Sequence, residues 1–142
     1  MILRDFKELI LSKSTNRQTI PASVDLHHRV HTALKQIALK TIPLRLIVNE
    51  PNGNSILRKI DEVTYIRIPR IPNTEEDSID IDDVLLDACA LYVIAGIEKE
   101  KAGTYMGMFF GEIDANNNRL IETALSEATN ESAFNNSFFR FA

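Results

Sequence analysis

The stretch from Val84 to Asn118 constrains the fold more than any other part of the chain. Its first half, Val84 to Ile97, is the densest apolar run in the sequence, and apolar residues recur there at helical spacing on more than one side. A helix that is apolar around most of its circumference is buried by several neighbours. The sequence therefore predicts a central helix, followed by a second helix or by a kinked continuation of the first.

The second half of this stretch carries three glycines spaced one helical turn apart, Gly103, Gly107 and Gly111. Each glycine inside a helix costs about 1 kcal/mol relative to alanine. Three on one face predict a groove free of side chains, suited to close approach by another helix from a neighbouring subunit. The alternative is a kinked or irregular helix packed inside its own domain. Beside the glycines runs an apolar stripe formed by Ala102, Met106, Phe109 and Ile113.

A membrane-spanning interpretation of the glycine pattern fails, because charged residues at 98–101 and at Glu112 leave no run of about 20 apolar residues. The 142 residues, 44% hydrophobic and 25% charged, are typical of one soluble globular domain. We assign residues 1–128 to a single helical domain and residues 129–142 to a C-terminal arm. The first ten residues do not resemble a secretory signal, which predicts a protein made inside the cell.

Helical periodicity predicts an amphipathic helix at residues 2–12 and a longer one from Pro21 or Ser23 to Lys40. Beyond Pro43 the period changes to two. Strand candidates cover residues 44–50, 55–60 and 63–68, with a turn signal at 51–54 from which the second strand returns. We therefore predict an α+β fold that is mainly α-helical. It is a helical bundle with a small antiparallel β meander of two or three strands at about 44–69 and an extended C-terminal arm.

Two polar stretches flank the central apolar run. Residues 73–83 hold six carboxylates, and we expect Asp80 or Asp82 to cap the central helix while the rest forms a solvated linker. On the other side, the asparagines at 116–118 are a natural break, at which the second helix of the pair could end.

The last residues of the chain are rich in phenylalanine and lack helical periodicity. Four of the seven phenylalanines fall in the last nine residues: Phe134, Phe138, Phe139 and Phe141. A free tail with four exposed aromatic side chains promotes aggregation. We favour a docking arm that orders on a partner, and the alternative is a tail that folds back on its own core.

Motifs for catalysis or metal binding are not evident. His27 and His31 are spaced like two zinc ligands, but His28 stands where a metalloprotease has its glutamate, so the general base is missing. The acidic run lacks the glycine and the ligand spacing of a calcium loop. Cys89 lies in the most apolar stretch, so we expect a buried side chain rather than a reactive thiol. We predict no enzymatic activity, no cofactor, and no catalytic or metal-binding residues.

Charge is unevenly distributed, at +5 over residues 1–45 and −9 over residues 46–142. Such asymmetry suits head-to-tail assembly or binding of a polyanion, although surface charge also fluctuates along ordinary chains. The alternative function is accordingly a small bacterial regulator or DNA-binding module that uses the basic residues 1–45. Its nucleic-acid contacts would be Arg17, Arg29, Lys35 and Lys40.

Taken together, residues 44–125 resemble the head–tail connector, adaptor or neck proteins of tailed bacteriophages. The resemblance consists of the order of elements, with a short meander ending in YIRIPRIP and an acidic linker before two helices. The matching positions are Leu85, Leu86, Ala88, Tyr92 and Ala95 in the first helix, then Ala102, Tyr105 and Phe109 in the second.

The resemblance implies a structural virion protein without an active site. Such subunits form a ring, typically of twelve copies, beneath the portal protein and join the capsid to tail or neck proteins. Genomic DNA passes through the ring without sequence-specific contacts. The expected location is the virion neck at the portal vertex, after synthesis in the host cytoplasm, and no membrane is involved.

Overall fold

The computed structural model describes residues 1–15, 19–51, 53 and 55–130, with side chains described as far as residue 124. Within these residues the chain forms four α-helices: Leu3–Lys13 (α1), Leu26–Lys40 (α2), Leu86–Ile97 (α3) and Ala102–Asn130 (α4). Three short strands lie between α2 and α3: Ile47–Val48 (β1), Ile56–Lys59 (β2) and Tyr65–Arg67 (β3). The predicted class, mainly α-helical with a small antiparallel sheet, is confirmed.

Helix α3 lies at the centre of the molecule, as its apolar circumference predicts. It contacts α1, α2 and, most extensively, α4. Cys89 is fully buried, and burial raises the pKa of its thiol, so the side chain acts as a small apolar group. Eight residues of the helix are buried: Leu86, Ala88, Cys89, Ala90, Leu91, Val93, Ile94 and Ala95.

Helices α3 and α4 form a hairpin, joined by a 3₁₀ turn at Lys99–Lys101. The two-helix alternative is therefore correct, and the single kinked helix is not formed. Phe109 is fully buried, and its ring meets that of Tyr92 edge-on, with centroids 5.3 Å apart. Ile113 is buried and Met106 packs against the core from a half-buried position, so the predicted stripe of α4 does face α3.

The sequence leaves open whether the helix breaks at residues 116–118, and the structure shows that α4 continues through them to Asn130. Asparagine disfavours helices by bonding to nearby backbone, but here the side chains bond to the end of α2. Asn116 is buried and donates from Nδ2 to Thr41 Oγ1 over 2.8 Å. Asn117 accepts from Thr41 Oγ1 over 2.5 Å. Distant partners thus hold these asparagines in the helical conformation.

Helix α2 begins later than predicted, because its N-cap is Asp25 rather than a residue near Pro21. The Asp25 carboxylate accepts a hydrogen bond from the backbone N–H of His28. The helix ends at Lys40 as expected. Arg58 on β2 caps the C-terminal end of α2, because its guanidinium donates to the carbonyls of Ala38 and Thr41 over 2.8 Å each.

The sheet has the strand order β1-β3-β2, with β3 in the middle and antiparallel to both neighbours. The turn around Gly53, which has a φ of 81°, therefore connects the two outer strands instead of closing a hairpin. The first strand is also shorter than predicted, since Leu44–Leu46 is a 3₁₀ turn. Its backbone N–H groups at Leu44 and Arg45 donate to the Asp82 carboxylate over 2.7 Å each.

The acidic segment is solvated over residues 73–78, as expected, but residues 79–81 are buried in the core. Ile79 and Ile81 are buried, and the backbone N–H of Ile79 donates to the carbonyl of Met1 over 2.8 Å. Neither Asp80 nor Asp82 caps α3, whose N-cap position is occupied by Leu85 without a side-chain hydrogen bond. Asp82 caps the Leu44–Leu46 turn instead, and Asp80 bonds to the sheet.

Asp80 joins four parts of the chain. Its buried carboxylate accepts from Arg67 on β3, from Arg45 over 3.2 Å and from the backbone N–H of Arg70 over 2.8 Å. Burial acts to raise the pKa of Asp80, but the hydrogen bonds from Arg67 and Arg70 and the nearby positive charge outweigh it, so the pKa is lowered. The sheet is thereby attached to the segment that leads into α3.

Candidate interaction surface

The glycines of α4 lie on the outer side of the helix, away from α3. Gly103, Gly107 and Gly111 are exposed, and a Cβ atom placed on any of them meets no atom within 4 Å. Helix α4 does pack inside its own domain, but through its opposite side, and no described residue packs against the glycines themselves. Their use as a contact for another subunit stays a prediction.

Two large apolar side chains flank the glycine strip. Phe110 is 47% exposed and Met108 is 51% exposed. At 3.6 residues per turn they lie about 160° apart around the helix, one on each side of the glycines. We call Gly103, Gly107, Met108, Phe110 and Gly111 the outer face of α4. It is about 12 Å long from the first glycine to the last.

The outer face is held by a well-anchored helix. On the inner side, Tyr105 is buried and its hydroxyl donates to the Glu98 carboxylate in the turn before α4. The same hydroxyl accepts from the backbone N–H of Thr15, just beyond α1, over 3.1 Å. Hydrogen bonds from the Ser14 and Tyr105 hydroxyls lower the pKa of Glu98. The first turn of α4 is thus fixed to both α1 and the α3–α4 turn.

Chemically, the outer face offers shape and apolar contact rather than reactive groups. The glycines expose backbone, and the flanking side chains offer an aromatic ring and a thioether that adapts to irregular surfaces. Beyond Gly111 the strip becomes polar at Asp114, which is exposed. Such a face can bind an apolar helix or side chain closely, and it carries no candidate nucleophile, acid or base.

The basic residues proposed for nucleic-acid contact do not form one patch. Arg29 Nη1 donates to the carbonyl of Gly96 at the end of α3 over 3.3 Å. Lys40 is exposed and donates to Gln36 over 3.2 Å, whereas Lys35 is half-buried. Around the axis of α2, Lys35 lies more than 100° from both Arg29 and Lys40, so it is on a different side of the helix. Arg17 lies outside the described residues.

The histidines of α2 have structural partners. His27 Nδ1 bonds to the carbonyl of Pro72, and His31 Nε2 bonds to the carbonyl of Pro69 over 2.8 Å. A carbonyl oxygen only accepts, so the bonding nitrogen of each ring donates, and the two rings attach α2 to the segment that follows β3. Among the residues that the structure describes, no group of three or more His, Cys, Asp or Glu side chains is placed to hold a metal ion.

Sequence analysis singled out the glycines but overlooked Met108 and Phe110. A signal for them exists: both are large and apolar yet lie off the 102, 106, 109 and 113 stripe, so a helix buried on that stripe exposes them. The four tail residues Phe134, Phe138, Phe139 and Phe141 lie outside the described part of the chain, and both alternatives for them stay predictions.

Comparison with models of protein families, with curated proteins and with solved structures finds no match to this chain. Within the described residues, none of the helices combines the length and the hydropathy that crossing a lipid bilayer requires.

Proposed function

We propose that this chain is a structural subunit that assembles with copies of itself into a ring, and that the ring is a head–tail connector in the neck of a tailed bacteriophage. In this role it binds the portal protein on one side and tail or neck proteins on the other, around the channel through which DNA passes. The resemblance noted above supports the second part of the proposal. The residues that carry it, among them Ala88, Tyr105 and Phe109, belong to the α3–α4 hairpin.

The observation that carries the proposal is the open outer face of α4. Three exposed glycines inside a long helix lower its stability, and a Cβ atom placed on any of them meets no described residue within 4 Å, while Met108 and Phe110 stay half-exposed beside them. A second helix can approach such a strip closely and bury both side chains. Two different surfaces meeting head to tail close into a ring, and the uneven charge of the chain suits such a contact.

The test is the assembly state of the purified full chain, alone and mixed with the portal protein of the same phage. Native mass spectrometry and negative-stain imaging should show closed rings of the chain, or rings formed on the portal. The matched variant is Phe110→Ser, which removes apolar contact from the outer face. Its ring also meets that of the buried Phe109, with centroids 5.4 Å apart, so circular dichroism first verifies that the variant folds. We expect it to weaken assembly at least tenfold in the concentration required.

A chain that stays monomeric or dimeric at all concentrations and never joins the portal contradicts the proposal. If Phe110→Ser forms rings as well as the wild type does, the proposal of a ring stands, but the outer face is not the contact between its subunits. Thr32→Ser on the exposed side of α2 is the control, because it changes a surface residue on another helix.

A further inference from the structure

A second apolar surface lies at the other end of α4. A cleft of about 310 Å³ opens between the C-terminal half of this helix and the two 3₁₀ turns at Leu44–Leu46 and Asp83–Leu85. Its apolar lining comes from Leu44, Val84, Leu120 and Ala124, which define the α4 cleft. Leu44 is 57% exposed and Val84 is 50% exposed. These are large apolar side chains that the described part of the chain leaves uncovered.

The polar groups around the α4 cleft already have partners. Asp82 accepts from the backbone N–H groups of Leu44 and Arg45 over 2.7 Å each. Arg119 donates to Asn116 over 2.8 Å, and Thr123 donates to the carbonyl of Arg119 over 2.9 Å. A polar ligand would have to compete with these bonds, whereas an apolar one would bury Leu44 and Val84 without disturbing them. The cleft therefore favours an apolar side chain.

The chain itself supplies such side chains close by. Residues 131–142 begin directly after α4 and contain four phenylalanines. Ala124 and Leu120 lie about 9 and 15 Å before Asn130 along the helix. An extended chain spans at most about 3.6 Å per residue, so the segment from Phe134 to Phe139 reaches the cleft from Asn130. The outer face lies farther away, about 29 Å from Asn130 at Gly111 and about 35 Å at Gly107, so Phe134 does not reach it and only Phe141 extends as far as Gly107.

We infer that the phenylalanine segment Phe134–Phe141 docks in the α4 cleft of its own chain. The short tether gives the segment an effective concentration in the mM range, which exceeds that of the same segment on a second molecule at ordinary protein concentrations. Docking covers Leu44 and Val84 and removes aromatic side chains from water. It leaves the outer face of α4 free, so this inference does not depend on whether the subunit forms a ring.

Disulfide trapping in the full chain tests the inference. The variant Val84→Cys with Ser137→Cys places one thiol in the α4 cleft and one in the tail without removing a phenylalanine. Cys89 is fully buried with a raised thiol pKa, so it gives little background reaction. Under mild oxidation we expect a disulfide within one chain whose rate does not change on dilution. Denaturing non-reducing electrophoresis and mass spectrometry distinguish it from a disulfide between chains.

Two controls separate docking from random collision. Thr104→Cys with Ser137→Cys places the first thiol about 39 Å before Asn130, beyond the roughly 25 Å reach of residue 137, and no intrachain disulfide should form. Adding Phe138→Ser and Phe139→Ser to the Val84→Cys pair should slow trapping at least tenfold. Trapping unaffected by these serines, or disulfides formed mainly between chains, would overturn the inference.

Discussion

Asp80 illustrates how one side chain can hold several segments in place. Its carboxylate is almost completely buried and binds arginines from β3 and from the Leu44–Leu46 turn, together with the backbone of Arg70. A buried carboxylate without partners is strongly unfavourable, so these bonds offset its desolvation. The alternation of Ile79, Asp80 and Ile81 looks like part of an acidic linker in the sequence, yet all three are buried.

Replacing this carboxylate should destabilise the protein. We expect Asp80→Asn to reduce the free energy of unfolding by about 2 kcal/mol, because Arg67 loses its charged partner inside the protein. Urea denaturation measures the change. Asp114→Asn, an exposed position on α4, is the control and should change the free energy of unfolding by less than about 0.5 kcal/mol.

The same substitution has a defined pH dependence. The pKa of Asp80 is lower in the folded state than the ordinary value of about 3.9 in an unfolded chain. The ionised Asp80 carboxylate therefore contributes its full share to the free energy of unfolding above about pH 5. This contribution is lost as the pH falls from there through the folded-state pKa. The stability difference between the wild type and Asp80→Asn should shrink over this acidic range. A difference that stays constant down to pH 3 would contradict this assignment.

At Gly107, stability and assembly should respond in opposite directions. Because a Cβ atom there meets nothing within 4 Å, Gly107→Ala should raise the stability of the isolated subunit by up to about 1 kcal/mol. Gly107→Leu should also fold, but its side chain fills the outer face and should weaken self-association at least about tenfold. Thermal unfolding and sedimentation measure the two effects. Normal association of Gly107→Leu would exclude close helix packing at this position.

At the scale of elements, α4 is held at two separate places. Near its start, Tyr105 bonds to Glu98 and to the backbone beyond α1. Near its middle, Asn116 and Asn117 bond to Thr41 at the end of α2. Apart from Gly103, the outer face lies between these two points, so contacts made there act on a helix that is anchored on both sides.

The Thr41 contact should contribute measurably to stability. Thr41→Val keeps the shape of the side chain but removes the hydroxyl that accepts from Asn116 and donates to Asn117. We expect a loss of about 1–3 kcal/mol, because the buried Asn116 amide is left without this partner. Thr123→Val is the matched control, since its exposed hydroxyl bonds only to the carbonyl of Arg119 within the same helix. Equal effects of the two substitutions would contradict a bridging role for Thr41.

At the scale of the whole molecule, the described residues form one continuous core. Phe6, Leu34, Leu91 and Phe109 are buried in it, and the residues of this core cluster all precede residue 131. Two of the apolar surfaces that the described residues leave uncovered involve α4, the outer face near its start and the α4 cleft near its end. The two apolar surfaces are separated along the helix, so each can have its own occupant.

Truncation tests whether the last residues belong to the main core or to the α4 cleft. Removing residues 131–142 should leave a cooperatively folded, helical subunit, because the core lies before them. The free energy of unfolding should fall by about 2 kcal/mol if one phenylalanine side chain is fully buried in the α4 cleft. Circular dichroism and urea denaturation measure both quantities. An unfolded truncated chain would instead place the phenylalanines in the main core.

The sequence by itself determined the helices and the buried stripe of each, including the central position of α3. Burial repeats with the helical period, and this information is local. The Lys40 end of α2 follows from the same kind of signal, whereas the choice between two helices and one kinked helix over residues 84–118 needed the structure. For the candidate surface, the sequence indicated the three glycines but could not say whether they contact the chain's own core.

Only the tertiary structure decided the features that depend on partners far along the chain. Asn116 stays helical because Thr41 is there to bond, and Leu44–Leu46 forms a 3₁₀ turn because Asp82 accepts its N–H groups. The pairing of β1 with β3 and the burial of Asp80 are likewise set by distant neighbours. Hydrogen bonds and charges are satisfied by whichever group lies nearby in space, and sequence periodicity does not contain that information.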